Sequence, residues 1–281
     1  MRKVTYIGVV LLLLLFVATA CGQKETAEPE DPSQADGVAT NEEAEEDEVG
    51  EENSEEADDE EEEVEETEEE IEPTYTIDDI WQIVPIEDAN EDVALITIDD
   101  APDKYALEMA HTLKELDVPA IFFVNGHFIE TDEKKEILKE IHELGFTIGN
   151  HTYSHADLQS LSEEEQYDEI VQVNDMVEEI IGERPKFFRA PFGQNTDYSK
   201  SVAEDESMVL MNWTYGYDWD AAYQTKESIT DIMLHAPELR SGANLLMHDR
   251  EWTNAALADI VTGLEEQGYE LIDPKEIETI Q

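Results

Sequence analysis

Short apolar runs alternate with segments of helical periodicity from residue 92 to the end of the chain. The apolar runs predict seven strands. They lie at residues 93–99, 119–126, 146–150, 185–191, 208–213, 243–248 and 269–272. Each run is short and mostly apolar, which is typical of strands covered on both faces of a sheet.

The intervening segments predict helices. Apolar residues recur at helical spacing over residues 104–116 and 132–144. A capping-box pattern opens a further helix over residues 162–182, and Thr253 or Asn254 is expected to open the last one, which ends near residue 268. Strands that alternate with helices imply a parallel sheet with right-handed crossovers. The predicted fold class is therefore α/β, a distorted (β/α) barrel of about seven parallel strands, closed or incomplete.

The N-terminal part has a different composition. Residues 1–20 carry a basic start, an apolar core and small residues, the pattern of a signal peptide. Cys21, the one cysteine of the chain, follows "VATA" as in a bacterial lipobox, although an ordinary signal peptide with a chance cysteine is the alternative. Residues 21–72 are then expected to form a lipidated cysteine and a disordered acidic linker, and residues 73–281 the folded domain.

The strongly negative charge argues against proteins that bind nucleic acid or anionic membrane surfaces. The chain carries 73 acidic and 16 basic residues, for a net charge of −57. Residues 73–281 alone hold 46 acidic and 13 basic residues, a net of −33. A domain this acidic should repel nucleic acid and anionic membranes. Membrane attachment is therefore expected only through the lipid on Cys21, and no nucleic-acid or protein partner is indicated.

Unusual polar residues follow the predicted strands. They are Asp99 and Asp100, Asn150 and His151, Arg189, Asp218 and His248. The carboxyl ends of the strands form the active face of α/β barrels. We therefore expect these side chains to meet at one rim.

The chemistry of this set favours a metal site. His151 and His155 stand four apart, and imidazole suits Zn²⁺, Co²⁺ or Ni²⁺. Adding one carboxylate of the Asp99–Asp100 pair gives three ligands with open positions, which is a catalytic arrangement. The second carboxylate can then take a proton from water, and His248 can protonate a leaving amine. Alternatively, the acidic pair could cap the next helix, and His248 could be a core residue.

Five motifs together resemble a known family. They are "TIDDAP" at 97–102, "HTYSH" at 151–155, "RAPFG" at 189–193, "YGYDW" at 215–219 and "LMH" at 246–248. Their order and approximate spacing are similar to those of the polysaccharide deacetylases, the NodB-homology proteins of carbohydrate esterase family 4. The resemblance spans about residues 92–273. It implies metal-dependent removal of acetyl groups from sugars.

The resemblance also implies a role for each matched residue. A metal-bound water would attack the acetyl carbonyl, with Asp99 as general base and His248 as general acid. Further implied roles are Asp100, His151 and His155 as metal ligands, Arg189 as partner of the base, Asp218 as partner of the acid, the backbone N–H of Phe192 as oxyanion donor, and Trp219 and Leu246 as lining of the acetyl pocket. The implied cofactor is a divalent metal, Zn²⁺ above Co²⁺ or Ni²⁺.

Three positions depart from the family pattern. Ala101 replaces a glycine, Ile98 a phenylalanine, and Tyr215 an aspartate. If the glycine served a positive φ, alanine would cost about 1 kcal/mol. Four aromatic residues could stack on sugar rings or pack internally, namely Tyr215, Tyr217, Trp219 and Trp252.

The expected substrate is an acetylated glycan, peptidoglycan first, at N-acetylglucosamine or N-acetylmuramic acid. The expected location is the outer face of the plasma membrane of a Gram-positive bacterium. The rival hypothesis is a catalytically silent carbohydrate-binding lipoprotein on the same fold.

Overall fold

The computed structural model describes residues 72–280. Its main sheet has seven parallel strands and curls into a barrel-like shape. The strands, in chain order, are β3 (Val93–Ala101), β4 (Ile121–Val124), β5 (Thr147–Asn150), β6 (Phe187–Phe188), β7 (Val209–Leu210), β8 (Ala243–His248) and β9 (Glu270–Leu271). The order across the sheet is β7-β6-β5-β4-β3-β8, with β9 beside the start of β3. The predicted fold class is confirmed.

Two strands precede this sheet. A short antiparallel hairpin, β1 (Tyr75–Ile77) and β2 (Ile83–Pro85), packs with the C-terminal segment through a bridge between Tyr75 and Ile277. Tyr75, Ile83 and Ile277 are buried with residues from the first half of β3. The hairpin therefore covers the end of the barrel at which the strands begin.

Within residues 72–280, six helices surround the sheet. They are α1 (Ala106–Glu115), α2 (Asp132–Glu143), α3 (Glu163–Ile181), α4 (Asp197–Asp205), α5 (Lys226–His235) and α6 (Glu251–Glu266). The predicted capping box of α3 is present, because Ser162 and Glu165 bond reciprocally, and Gly182 ends the helix with φ +84°. The prediction that Thr253 or Asn254 opens the last helix is wrong. That helix begins at Glu251, and the Thr253 hydroxyl bonds Asp218 instead.

The segment after β7 brings the two ends of the sheet together. At the start of this segment the Met211 N–H donates to the Phe188 carbonyl, on the β6 side. A few residues later Thr214 donates to Asn244, and Tyr215 accepts from Leu246, both on β8. This crossing places the segment that carries Asp218 beside the strand that ends at His248.

Strand β3 lies between β4 and β8, one place from the end of the sheet order. All nine of its residues are buried, between β4 on one side and β8 on the other. Its C-terminal end therefore delivers Asp99 and Asp100 to a largely enclosed position. Within the described residues, no helix combines the length and apolar character that a membrane span requires.

The predicted signal peptide, Cys21 and nearly all of the predicted linker lie outside the described residues. The domain boundary at residue 73 therefore stays a prediction.

Candidate metal centre

The acidic pair lies at the end of β3. Asp99 is 2% exposed and Asp100 8%, so both carboxylates are largely removed from water. Asp100 has φ +62°, a left-handed conformation that a non-glycine residue adopts only when its surroundings hold it there. Ala101 does not share this conformation and is fully buried. The expected backbone cost of alanine is therefore absent, because the unusual φ falls one residue earlier.

The two histidines lie on the turn that follows β5. Asn150, the last residue of β5, accepts a hydrogen bond from the Thr152 N–H at 2.9 Å, which starts the turn. Thr152 and His155 both have positive φ, at 65° and 59°. The Asn125 side chain fixes the same turn from β4, because its amide donates to the carbonyls of His151 and Thr152. As a result the two imidazole rings lie 4.9 Å apart, edge to face.

Three donor atoms converge at this point. The Oδ1 atom of Asp100 is 3.5 Å from Nε2 of His155 and 4.0 Å from Nε2 of His151. Donor atoms of the three residues lie within 4.8 Å of one another. Ligands about 2.0–2.2 Å from a tetrahedral zinc ion lie roughly 3.3–3.6 Å apart, so the donor atoms would have to move closer by up to about 1.5 Å. Nδ1 of His151 is 2.7 Å from the Arg189 carbonyl, which turns Nε2 toward the carboxylates. The set fits a divalent cation.

Arg189 binds one oxygen of Asp99. The buried guanidinium donates to Oδ1 of Asp99 at 2.6 Å and to the Thr97 hydroxyl at 2.7 Å. The same guanidinium lies 4.3 Å above the Phe123 ring. Oδ2 of Asp99 remains free of the arginine and lies 3.6 Å from Nε2 of His151. Asp99 thus keeps one oxygen directed at the centre, which is the geometry a base requires.

His248 and Asp218 form a second buried pair. Nδ1 of His248 lies 2.6 Å from Oδ1 of Asp218, while Oδ2 of Asp218 accepts from the His248 N–H at 2.6 Å and from the Thr253 hydroxyl at 2.7 Å. Burial lowers the pKa of His248, but the charge and hydrogen bond of Asp218 outweigh it, so the pKa lies above its ordinary value. His248 can therefore keep a proton for donation.

The remaining predicted site residues border the same mouth. Phe192 has φ +60° and places its ring 4.9 Å from His155. Trp219 is 62% exposed, and its indole N–H donates to the Gly216 carbonyl. Leu246 is buried against Gly216, where any added Cβ would come within 2.2 Å of the Leu246 carbonyl oxygen.

Two aromatic residues bond to the protein through their polar groups, Tyr215 from the core and Trp252 from a half-buried position. Tyr215 is buried, and its hydroxyl donates to the Met233 carbonyl at 2.8 Å. Trp252 donates its indole N–H to the Asp218 carbonyl. The stacking option is thus wrong for Tyr215, which belongs to the core.

Sequence reasoning missed two residues of the centre. Asp249 accepts hydrogen bonds from the backbone N–H groups of Lys104, Tyr105 and Ala106, and so caps α1 from the loop between β8 and α6. The alternative in which the acidic pair caps this helix is therefore wrong. Arg250 donates to Oδ2 of Asp100 at 2.6 Å. The only available signal was their position directly after His248.

The model of the polysaccharide deacetylase family matches residues 86–210. A peptidoglycan-N-acetylglucosamine deacetylase of Bacillus cereus is 31% identical over 216 residues, which are 74% of this chain and 95% of that protein. The chain spans less of other relatives, 62% and 52% of the length of one from Bacillus subtilis and another from Bacillus cereus.

Solved structures are similar as well. The peptidoglycan deacetylase PdaC of Bacillus subtilis is 30% identical with a TM-score of 0.59, covering 66% of this chain and 90% of that one. The protein BA3943 of Bacillus anthracis, described as a CE4 family pseudoenzyme, is 29% identical with a TM-score of 0.60, covering 66% and 65%. Similarity of fold thus extends to active and inactive proteins alike.

Proposed function

The chain belongs to the polysaccharide deacetylase family, and from this premise we propose that it hydrolyses N-acetyl groups of peptidoglycan with the help of a divalent metal. One observation carries the proposal. The donor atoms of Asp100, His151 and His155 converge within 4.8 Å, and the same pocket edge holds the Asp99–Arg189 and His248–Asp218 pairs. A binding protein would need neither of these two pairs.

Each side chain has one task in the reaction. A divalent cation held by Asp100, His151 and His155 would polarise the acetyl carbonyl and activate water. Asp99 accepts the proton of the attacking water through its free oxygen, and the hydrogen bond from Arg189 to the other oxygen keeps that carboxylate oriented. The Phe192 backbone N–H is the proposed donor to the oxygen that becomes negative.

Collapse of the tetrahedral intermediate requires a proton for the nitrogen. His248 donates that proton from Nε2, because Nδ1 is bound to Asp218. The C–N bond breaks, and acetate and a free sugar amine leave. The acetyl methyl is proposed to lie against Leu246 and Trp219.

Peptidoglycan is favoured as substrate because several relatives are named for it. Those of Bacillus cereus and Listeria monocytogenes are named N-acetylglucosamine deacetylases, and PdaC and PdaA of Bacillus subtilis N-acetylmuramic acid deacetylases. N-acetylglucosamine is the proposed unit. Zinc is the proposed metal, since a carboxylate with two imidazoles is a zinc ligand set.

A silent carbohydrate-binding protein is the second candidate. The similarity to a CE4 family pseudoenzyme favours it. Against it stand the acidic pair, both histidines and the His248–Asp218 pair, all present and in bonding distance. We therefore place the enzyme first.

The proposed location is the outer face of the plasma membrane, through a lipid on Cys21. The sequence pattern around Cys21 supports this part of the proposal. Replacing Cys21 by serine should release the protein into the medium, as seen by fractionation of the host cells. Continued retention in the membrane would refute the anchor.

The deciding experiment measures acetate and free amines released from purified peptidoglycan and from N-acetylglucosamine oligomers. Exhaustive chelation should abolish release, and added zinc or cobalt should restore it. His155→Ala should lose both metal and activity, whereas His235→Ala, at an exposed histidine outside the centre, should keep both. Acetate release that survives chelation, or that His155→Ala leaves intact, would refute the proposal.

A further inference from the structure

Arg250 makes a contact that the proposed reaction leaves unexplained. It is the residue that precedes α6, and its side chain is 37% exposed at the mouth. One guanidinium nitrogen donates to Oδ2 of Asp100 at 2.6 Å, and the other terminal nitrogen donates to the Asp249 carbonyl at 3.2 Å. The arginine is thus bound at both terminal nitrogens, which fixes the plane of its guanidinium group.

The contact divides the two oxygens of Asp100. Oδ1 faces the imidazoles, at 3.5 Å from His155 and 4.0 Å from His151, while Oδ2 faces Arg250. A carboxylate with both oxygens free can bind a cation through one oxygen or through both. The guanidinium occupies the second oxygen, so only one remains for a metal.

The neighbouring residue, Asp249, anchors the segment that carries Arg250. The backbone N–H of Asp249 donates to the Asp99 carbonyl at 3.0 Å, and the Asp249 side chain binds the start of α1. The segment of residues 249–250 is therefore attached to the chain on both sides of Asp100. Such a double attachment is what a residue at φ +62° requires if its side chain is to keep one orientation.

We propose that Arg250 is a positioning residue that restricts Asp100 to one metal-facing oxygen and so keeps a coordination position open for water and substrate. The inference rests on the proposed metal-dependent function. Arg250 touches neither substrate nor reacting atoms in this role and acts only through Asp100. Loss of the guanidinium would free Oδ2 to join the metal, which raises the coordination number and fills the open position.

Cobalt is the probe for this effect, because the intensity of its visible absorption falls as the coordination number rises. We would record the spectrum of the full chain at saturating Co²⁺ for the unchanged protein, Arg250→Met and Arg250→Gln. Methionine and glutamine are both shorter than arginine, so neither is expected to reach Oδ2 of Asp100. The cobalt spectrum of either variant that folds therefore tests the role of Arg250. Arg240→Met and Arg240→Gln, at a second arginine outside the centre, are matched controls that remove the same charge.

Both Arg250 variants should give a clearly weaker visible band at saturation, together with a fall of about 10-fold or more in kcat at little change in KM. Both Arg240 variants should match the unchanged protein. A folded Arg250 variant with the same cobalt spectrum as the unchanged protein would overturn the role of Arg250 and leave the proposed function intact. Failure of the unchanged protein to bind cobalt would overturn both.

Discussion

Replacing Asp218 by asparagine should impair His248 as general acid and leave the rest of the centre unchanged. The two side chains have the same shape, so packing around the fully buried position is preserved. The negative charge next to His248 is lost, however. Since Asp218 is the reason that the pKa of His248 lies above its ordinary value despite burial, the substitution should lower that pKa.

The hydrogen bonds decide how the amide would sit. Oδ2 of Asp218 accepts from two donors, the His248 N–H and the Thr253 hydroxyl. The amide oxygen must take this place, because an NH₂ group there would face two donors. The amide nitrogen then points to Nδ1 of His248, which has to be an unprotonated acceptor. The new amide therefore opposes the protonated imidazolium twice, by the loss of charge and by hydrogen bonding.

General acid catalysis typically contributes 10²- to 10⁴-fold to a rate. We expect Asp218→Asn to lower kcat by about 100-fold at neutral pH, which corresponds to about 2.7 kcal/mol. The acid works only while protonated, so the rate falls as pH rises through its pKa. A lower pKa should thus move the alkaline limb of the pH–rate profile to lower pH.

The assay is acetate release as a function of pH for the unchanged protein, Asp218→Asn and the control Asp205→Asn at an exposed position. Metal content and melting temperature are measured for all three proteins. An alkaline limb that stays in place in a folded, metal-loaded Asp218→Asn protein would refute the assignment of His248 as an acid tuned by Asp218.

Three further substitutions test other parts of the centre. Asp99→Asn should lower kcat by about 10²-fold or more while metal content stays unchanged, because its carboxylate is the base and not a ligand; a normal rate would place the base elsewhere. Ala101→Gly should lower the free energy of unfolding by about 1–2 kcal/mol in a denaturant titration, because it removes a buried methyl group and makes the unfolded chain more flexible. We expect kcat to be retained, and a large loss of kcat would mean that Ala101 shapes the substrate groove. Tyr215→Phe should lower the free energy of unfolding by about 1 kcal/mol, because it removes the hydrogen bond to Met233. KM for the glycan should stay unchanged, and a raised KM would mean that Tyr215 contacts the glycan.

The elements that follow strong periodicity could be predicted from the sequence. The long apolar run of β3 and the helix between Ser162 and Gly182 fall close to their expected places. Helices α4 and α5 could not be predicted with the same rules. Their capping boxes carry serine, at Ser199 and Ser228, where the common pattern has glutamate or glutamine, and α5 buries only two residues.

The convergence of the centre could be expected because strand ends of a parallel sheet share one edge. The side chains that fix the geometry of the centre could not be predicted from the sequence. Asp249 and Arg250 meet their partners across 143 to 150 residues of chain. Their contacts depend on the path of the loop after β3, and that path follows from the conformation of Asp100, which no local pattern announces.

The two carboxylates at the end of β3 are paired with arginines of the centre, although the rest of the domain is strongly acidic. Residues 73–281 hold 46 acidic and 13 basic residues, yet each carboxylate at the end of β3 has an arginine 2.6 Å away, Arg189 for Asp99 and Arg250 for Asp100. Salt screens exposed charges beyond about 8 Å at physiological ionic strength, whereas buried pairs are screened much less. Burial alone would raise the pKa of Asp100, but the nearby imidazoles and Arg250 outweigh it, so that pKa lies below its ordinary value. The charges that set this balance at Asp100 all belong to the centre itself, and none of them to the acidic surface.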